Sequence, residues 1–177
     1  IMEHELGVAE ILRPKLGSPS EKFRDVLLFS PTITYDFRGE IFTTYREKSS
    51  TASYVEDKIS ISRKDVLRGL HGDFETDKLV QCLHGDVYLV VVDWRPDSPT
   101  YMEWESFLLN DKNKLQVLIP KGFLNGHLCL TEKCIFSYKQ TSYYKGADNQ
   151  ISVAWNDPKL GVFWPIKNPI LSERDAV

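Results

Sequence analysis

Residues 66–100 read VLRGLHGDFETDKLVQCLHGDVYLVVVDWRPDSPT, and this stretch decides the fold class. KLVQCL at 78–83 and VYLVVVDW at 87–94 are apolar or alternating runs of strand length. His84-Gly85-Asp86 between them is a turn signal, because glycine tolerates the positive φ of a tight turn, and it predicts a hairpin. VLRGLH at 66–71 reads as another short strand. Side chains alternate across a strand, which predicts Arg68, Leu70 and Gly72 on one face and Leu67, Gly69 and His71 on the other. Lys78 opens the next strand, where a short loop is expected to fold it back beside His71. A base and a cation side by side on rigid strands suit the removal of a proton next to a carbonyl.

Outward from this block the same texture continues. On the N-terminal side, residues 1–24 are mixed polar and predict a short strand followed by irregular structure. DVLLFS at 25–30 is a strand, Asp36-Phe37-Arg38-Gly39 a turn, and EIFTTY at 40–45 and SYVEDKISIS at 53–62 are strands. On the C-terminal side come the strands EWESFLL at 103–109 and LQVLIP at 115–120, then a glycine-bounded turn over 121–126. HLCL at 127–130, CIFSYKQTSYY at 134–144 and ISVAW at 151–155 follow as strands, before a tail punctuated by prolines. No segment holds a helical period for three turns. Ten or more short strands with turn chemistry between them predict one all-β domain over 1–177, an antiparallel jelly-roll barrel. Such a barrel encloses a pocket lined by inward-facing polar residues.

Composition narrows the function classes. Twenty-two Lys and Arg stand against 25 Asp and Glu, a formal net charge of −3, which gives no case for general nucleic-acid binding. The longest apolar run, VYLVVV, falls far short of a membrane span, and the first residues carry no apolar signal core. Cys82, Cys129 and Cys134 lie in apolar strand-like runs without a CxxC pair, and are expected to be buried reduced thiols of a cytoplasmic protein.

His71 is the sharpest candidate for chemistry. A lone strand histidine is most often a hydrogen-bonded core residue, but a core histidine gains nothing from the nearby cations Arg68 and Lys78. Alone, those two would read as solvated strand residues; with His71 they suit an anionic or enolate-forming substrate. Tyr138 reads equally as a packing residue and as a proton donor, and Asp175 as an exposed tail charge. A jelly-roll metal site usually begins with two histidines one residue apart on a strand; here the place is held by His71-Gly72-Asp73. His127 could supply only a distant ligand and His84 sits in a turn, so no metal is expected.

Taken together, VLRGLH, KLVQCLHGDVY, VVVDWRPDSPTY, NKLQVLIPKGF, FSYKQTSYY, AWNDPKLGVFWP and PILSERD resemble, in order and spacing, the nucleotide-sugar 3,5-epimerases. These are the cupins typified by dTDP-4-dehydrorhamnose 3,5-epimerase, and the resemblance runs from about residue 36 to residue 175. RGLHGD, DSPTY and the Asn125-Gly126-His127 turn look closer to the branch acting on GDP-linked 4-keto-heptoses. The resemblance implies a cupin barrel, no cofactor, and a homodimer with exchanged strands. It implies His71 as the base beside the 4-keto group, Asp175 as the carboxylate that orients it, Tyr138 as the acid on the opposite face and Lys78 as the cation at the enolate oxygen. Arg38 and Arg68 match groups that hold diphosphate or sugar, and Tyr144 the aromatic near the nucleotide base.

The chain departs from the rhamnose enzymes at other substrate contacts. Glu56-Asp57-Lys58 replaces QDN, Thr43 a glutamate, Leu89 an aspartate, and Asn125 a pocket histidine. Glu56, Lys58 and Asn125 are therefore expected among the substrate-binding residues. The expected substrate is a nucleoside-diphosphate 4-keto-6-deoxy sugar or 4-keto-heptose, inverted at C3 and, it is expected, at C5, for surface polysaccharide. The base (dTDP, GDP or CDP) is left open. The rival readings are a 3,4-ketoisomerase and a non-catalytic sugar-binding cupin.

Overall fold

The computed structural model describes residues 17–47 and 52–176. Of the segment 1–24, where a short strand and then irregular structure are expected, residues 1–16 lie outside them. Among the described residues, thirteen strands form two antiparallel sheets and a separate hairpin. The six-stranded sheet runs β1 (Ser18–Pro19), β2 (Leu27–Phe29), β10 (Gln116–Ile119), β7 (Lys78–His84), β12 (Lys133–Gln140), β5 (Glu56–Arg63). The five-stranded sheet runs β13 (Ile151–Ser152), β6 (Leu67–Gly72), β11 (Phe123–Cys129), β8 (Asp86–Asp93), β9 (Trp104–Asn110). β3 (Ile33–Asp36) and β4 (Gly39–Phe42) pair only with each other, through the expected turn at Asp36–Gly39. A 3-10 turn at Ala147–Asn149 is the one helical element with described bounds. The all-β jelly-roll expectation holds.

Apolar packing fixes how the sheets face. One core lies between them, with Val80, Leu89, Val91, Phe123 and Phe136 at its centre. A second lies outside the five-stranded sheet, where Val90, Val92, Leu124 and Leu128 are covered by the C-terminal segment carrying Leu160 and Trp164. β8 is buried on both faces, which is why VYLVVV reads as an unbroken apolar run.

Three local expectations are corrected. His84-Gly85-Asp86 turns the chain, with Gly85 at φ 85°, but joins no hairpin: β7 pairs with β10 and β12, β8 with β11 and β9. It is a corner between sheets, as a jelly roll requires of some successive strands. The predicted turn over 121–126 ends early, because Phe123 already starts β11 and Gly126 sits inside that strand. The facing of β6 is also shifted. Asn125 of β11 stands opposite His71 and His127 opposite Arg68, so β6 spends three steps where β11 spends two. The extra residue is a bulge at Gly69 and Leu70. Gly69 has φ 135°, and a Cβ there would come within 2.5 Å of the Gly126 Cα, so only glycine fits. Past the bulge the alternation slips by one. Arg68 and His71 now share the inner face, and Leu67 and Leu70 the outer core.

Candidate active site

Between the sheets the packing changes character toward one end. β5 alternates cleanly, yet its inward residues Glu56, Lys58, Ser60 and Ser62 are polar while Ile59 and Ile61 face outward. That inverted pattern, with Tyr138 and Gln140 beside it on β12, leaves a polar cavity of about 540 Å³ instead of core. β6 and β11 form the opposite wall, and residues 170–175 close one side.

His71 and Asp175 meet at this wall. The tail runs beside β6, with Leu67 N–H donating to Ile170 O at 3.0 Å and Ile170 N–H to Asp65 O at 2.8 Å. Asp175 Oδ1 then lies 2.6 Å from His71 Nε2, and its Oδ2 accepts from Gly69 N–H at 3.2 Å. A buried carboxylate left alone costs several kcal/mol, so these two donors are what hold it there. Burial works against the Asp175 charge, but the hydrogen bond and charge of His71 and the Gly69 amide outweigh it, keeping the carboxyl below its usual pKa. The pair fixes the imidazole at the cavity wall and leaves its other nitrogen without a hydrogen-bond partner among the described residues.

Lys78 enters from the six-stranded sheet across the cavity. It is buried, and burial lowers its pKa, with Asp73 partly opposing that and Lys58 and Arg174 adding to it. Its ammonium has no carboxylate partner among the described residues; the Asn125 Oδ1 accepts from it at 3.4 Å. Tyr138 stands on β12, two residues from the strand position facing Lys78. Burial raises the Tyr138 pKa, so its hydroxyl stays protonated at neutral pH and able to donate. Lys58 caps the Tyr144 ring at 3.5 Å, and Arg68 donates from Nε to Ser62 Oγ at 3.1 Å. Four cations, Lys58, Arg68, Lys78 and Arg174, thus line a cavity holding one carboxylate, although the whole chain is slightly acidic. Such a lining favours a dianionic ligand such as a diphosphate.

The structure therefore brings together His71, Asp175, Lys78, Tyr138, Arg68, Asn125, Lys58 and Tyr144. It does not bring Arg38 or Glu56 to the cavity wall. Arg38 sits on the detached β3–β4 hairpin, exposed and paired with Asp36. Glu56 acts one step back: its Oε2 accepts from Tyr144 N–H at 2.9 Å and Gln140 Nε2 at 2.8 Å, which holds the loop carrying Tyr144. Sequence reasoning missed His127, Ser60, Gln140 and Arg174, which also line the cavity. The regular alternation of β11 would have placed His127 inward beside Asn125, had Gly126 not been read as a turn. The three cysteines are buried and free, and no group of three or more His, Cys, Asp or Glu converges among the described residues. No helix of those residues is long and apolar enough to cross a membrane.

Comparison with known proteins gives a consistent picture. Residues 20–177 match the family model described as dTDP-4-dehydrorhamnose 3,5-epimerase. The chain is 38% identical over 164 residues to the dTDP-4-dehydrorhamnose 3,5-epimerase of Escherichia coli, covering 87% of this chain and 88% of that one. It is 40% identical over 162 residues to the enzyme of that name from Salmonella typhimurium, covering 86% and 88%. Among solved structures it superposes on the dTDP-6-deoxy-D-glucose-3,5-epimerase of Legionella pneumophila in complex with dTDP-4-keto-L-rhamnose. There the TM-score is 0.84 at 35% identity, covering 89% of this chain and 88% of that one. It also superposes on a 3'-monoepimerase from Streptomyces bikiniensis in complex with dTDP-quinovose, with TM-score 0.82 at 28% identity, covering 89% and 83%. These names carry dTDP-linked sugars, so the expected closer likeness to enzymes of GDP-linked 4-keto-heptoses is not supported.

Proposed function

The chain belongs to the dTDP-4-dehydrorhamnose 3,5-epimerase family and is an epimerase; we propose that it inverts C3, and with it C5, of a dTDP-4-keto-6-deoxy sugar in rhamnose synthesis. The observation that carries this is the His71–Asp175 pair on one cavity wall, with Lys78 and Tyr138 on the other. A 4-keto group acidifies the adjacent C–H. His71 takes that proton, and Asp175 stabilises the imidazolium that forms. The Lys78 ammonium, buried without a carboxylate partner among the described residues, meets the charge that develops on the enolate oxygen. Tyr138 returns a proton to the opposite face; the tyrosinate then recovers a proton from solvent and the His71 imidazolium gives its own up to solvent. Arg68 and Lys58 hold the diphosphate, and Tyr144 stacks near the base. No step calls for a cofactor.

Each rival reading lacks a use for one of these groups. A sugar-binding cupin has no need of an acid facing a base. A 3,4-ketoisomerase shares the base but moves the carbonyl instead of inverting a centre, and the relatives named above are epimerases.

A homodimer belongs to the same proposal. β5 is an edge strand whose outward face carries exposed Ile59 and Ile61, and the β3–β4 hairpin presents Tyr35, Ile41 and a fully exposed Phe37. Both are apolar surfaces of the kind that pair between copies. Exchange of the hairpin would offer Arg38 to the partner's cavity, where it could meet a diphosphate.

The test is solvent exchange. Incubation with dTDP-4-keto-6-deoxyglucose in deuterium oxide is expected to label C3 and C5 and to invert them. Nucleotide binding without label at any carbon would sink the epimerase reading.

A further inference from the structure

A second histidine of the cavity has no part in this scheme. β11 alternates without a break against β8, so Asn125 and His127 both project between the sheets while Leu124 and Leu128 pack outside. Against β6, Asn125 stands opposite His71 and His127 opposite Arg68. The wall thus has a direction, from His71 and Asn125, which Lys78 reaches from across the cavity, at one end to Arg68 and His127 at the other.

His127 is 6% exposed, its ring stacked on Phe136 at 4.0 Å between centroids, with Nε2 3.4 Å from Ser60 Oγ. Its second ring nitrogen has no partner among the described residues and is not sealed from the cavity. Burial first, then the charges of Arg68, His71 and Lys78, depress its pKa to about 3. The ring is therefore neutral at working pH, with one N–H and one lone pair. A neutral imidazole does little for a diphosphate. It suits a hydroxyl, which donates and accepts in turn.

Its place in the wall says which hydroxyl. In a nucleoside-diphosphate 4-keto hexose the ketone is C4, the reacting carbon C3 and the diphosphate-bearing carbon C1. With the C4 oxygen at Lys78, the C3 hydrogen at His71 and the diphosphate at Arg68, C2 falls beside His127. We propose that His127, with Ser60, hydrogen-bonds the C2 hydroxyl and makes the enzyme selective for 2-hydroxy over 2-deoxy 4-keto sugars. This rests on the epimerase reading and names its substrate class more closely.

The experiment compares kcat/KM for dTDP-4-keto-6-deoxyglucose and its 2-deoxy analogue. The wild type is expected to prefer the 2-hydroxy sugar by about tenfold or more, since the analogue leaves polar groups of the site unpaired. His127→Phe keeps an aromatic ring on Phe136 and removes both nitrogens. It is expected to bring the two substrates within about twofold by slowing the 2-hydroxy one, with inhibition by dTDP unchanged. A variant that keeps the wild-type preference, or a wild type that shows none, overturns the proposal while leaving the epimerase reading standing. Should His127→Phe fail to fold by thermal melting, Ser60→Ala is read in the same assay and must lower the preference; an unchanged preference is again a refutation. A wild type inert on both sugars sinks the epimerase reading and this one with it.

Discussion

His71 Nε2 and Asp175 Oδ1 are 2.6 Å apart although 104 residues separate them in the chain. If Asp175 serves to orient and charge the base, Asp175→Asn keeps the shape and removes the charge. The expected loss is about 10²-fold or more in deuterium wash-in, with little change in dTDP affinity. Stability gives a second readout. The Asp175 carboxyl is held below its usual 3.8, so its contribution is fully present above that value and is lost as pH falls through the folded pKa. Chemical denaturation of wild type and variant is therefore expected to show a constant gap near neutrality that closes in strong acid. A gap that widens in acid would contradict the assignment.

Lys78 and Tyr138 are pushed in opposite directions by the same cause. Burial lowers the lysine below 10.5 and raises the tyrosine above 10, which works against the usual order in which a tyrosine loses its proton before a lysine. The alkaline limb of kcat is expected to follow Lys78: Lys78→Arg shifts it upward at reduced rate, whereas Tyr138→Phe leaves it in place. Linkage adds a stability effect. A lysine with a lowered folded pKa destabilises the fold at neutral pH and releases that cost as pH climbs through the folded value toward 10.5. Lys78→Met is therefore expected to abolish exchange yet raise Tm at neutral pH, by about 2–4 °C for each kcal/mol relieved. A lower Tm would place Lys78 in a structural role.

The strands of this fold were legible because each is short and bounded by turn residues; β5 and β12 fall on the expected segments, although β5 starts at Glu56 instead of residue 53 and β12 stops at Gln140 instead of residue 144. What escaped depends on contacts between distant segments. Nothing in VLRGLH shows that Gly69 must lie against Gly126, so the bulge that turns His71 inward beside Arg68 was invisible. Gly126 likewise looked like the end of a turn, because Gly122 lies four residues before it and its approach to Gly69 does not show in the sequence. His71 and Lys78 stood out as chemistry near each other in sequence, but Asp175 is a tail charge until Ile170 is seen bonded to β6. Only the family resemblance pointed to it. Arg38 was drawn into the site by that resemblance alone, and within one chain it is not there.

Arg38 supplies the test of the dimer. Phe37 is 99% exposed at the tip of the same hairpin, so Phe37→Asp leaves the fold of the chain alone and is expected to give monomers by light scattering. Complementation then asks whether Arg38 acts across subunits. Arg38→Ala and His71→Asn chains, each impaired alone, are mixed after unfolding and refolded together. If Arg38 serves the partner's cavity, a heterodimer holds one intact site, and activity returns. Absence of recovery in a verified heterodimer would confine Arg38 to the surface.

Tyr138 separates proton removal from inversion. With its pKa raised by burial it remains a donor at neutral pH, facing the cavity from the sheet opposite His71. Tyr138→Phe removes only the hydroxyl. His71 can still take the proton and return it, or solvent can, to the same face, so label enters C3 without a change of configuration. Inversion is expected to fall by about 10²-fold or more, and C5 chemistry to fall most because it follows a first inversion. A tyrosine that merely packs against Phe136 would behave differently. Losing its hydroxyl would cost about 1 kcal/mol of stability and slow exchange and inversion together, if at all. The measurement is the ratio of deuterium wash-in to inverted product at C3, by NMR, for wild type and variant side by side. A raised ratio in the variant identifies Tyr138 as the acid, and an unchanged ratio returns it to the packing role.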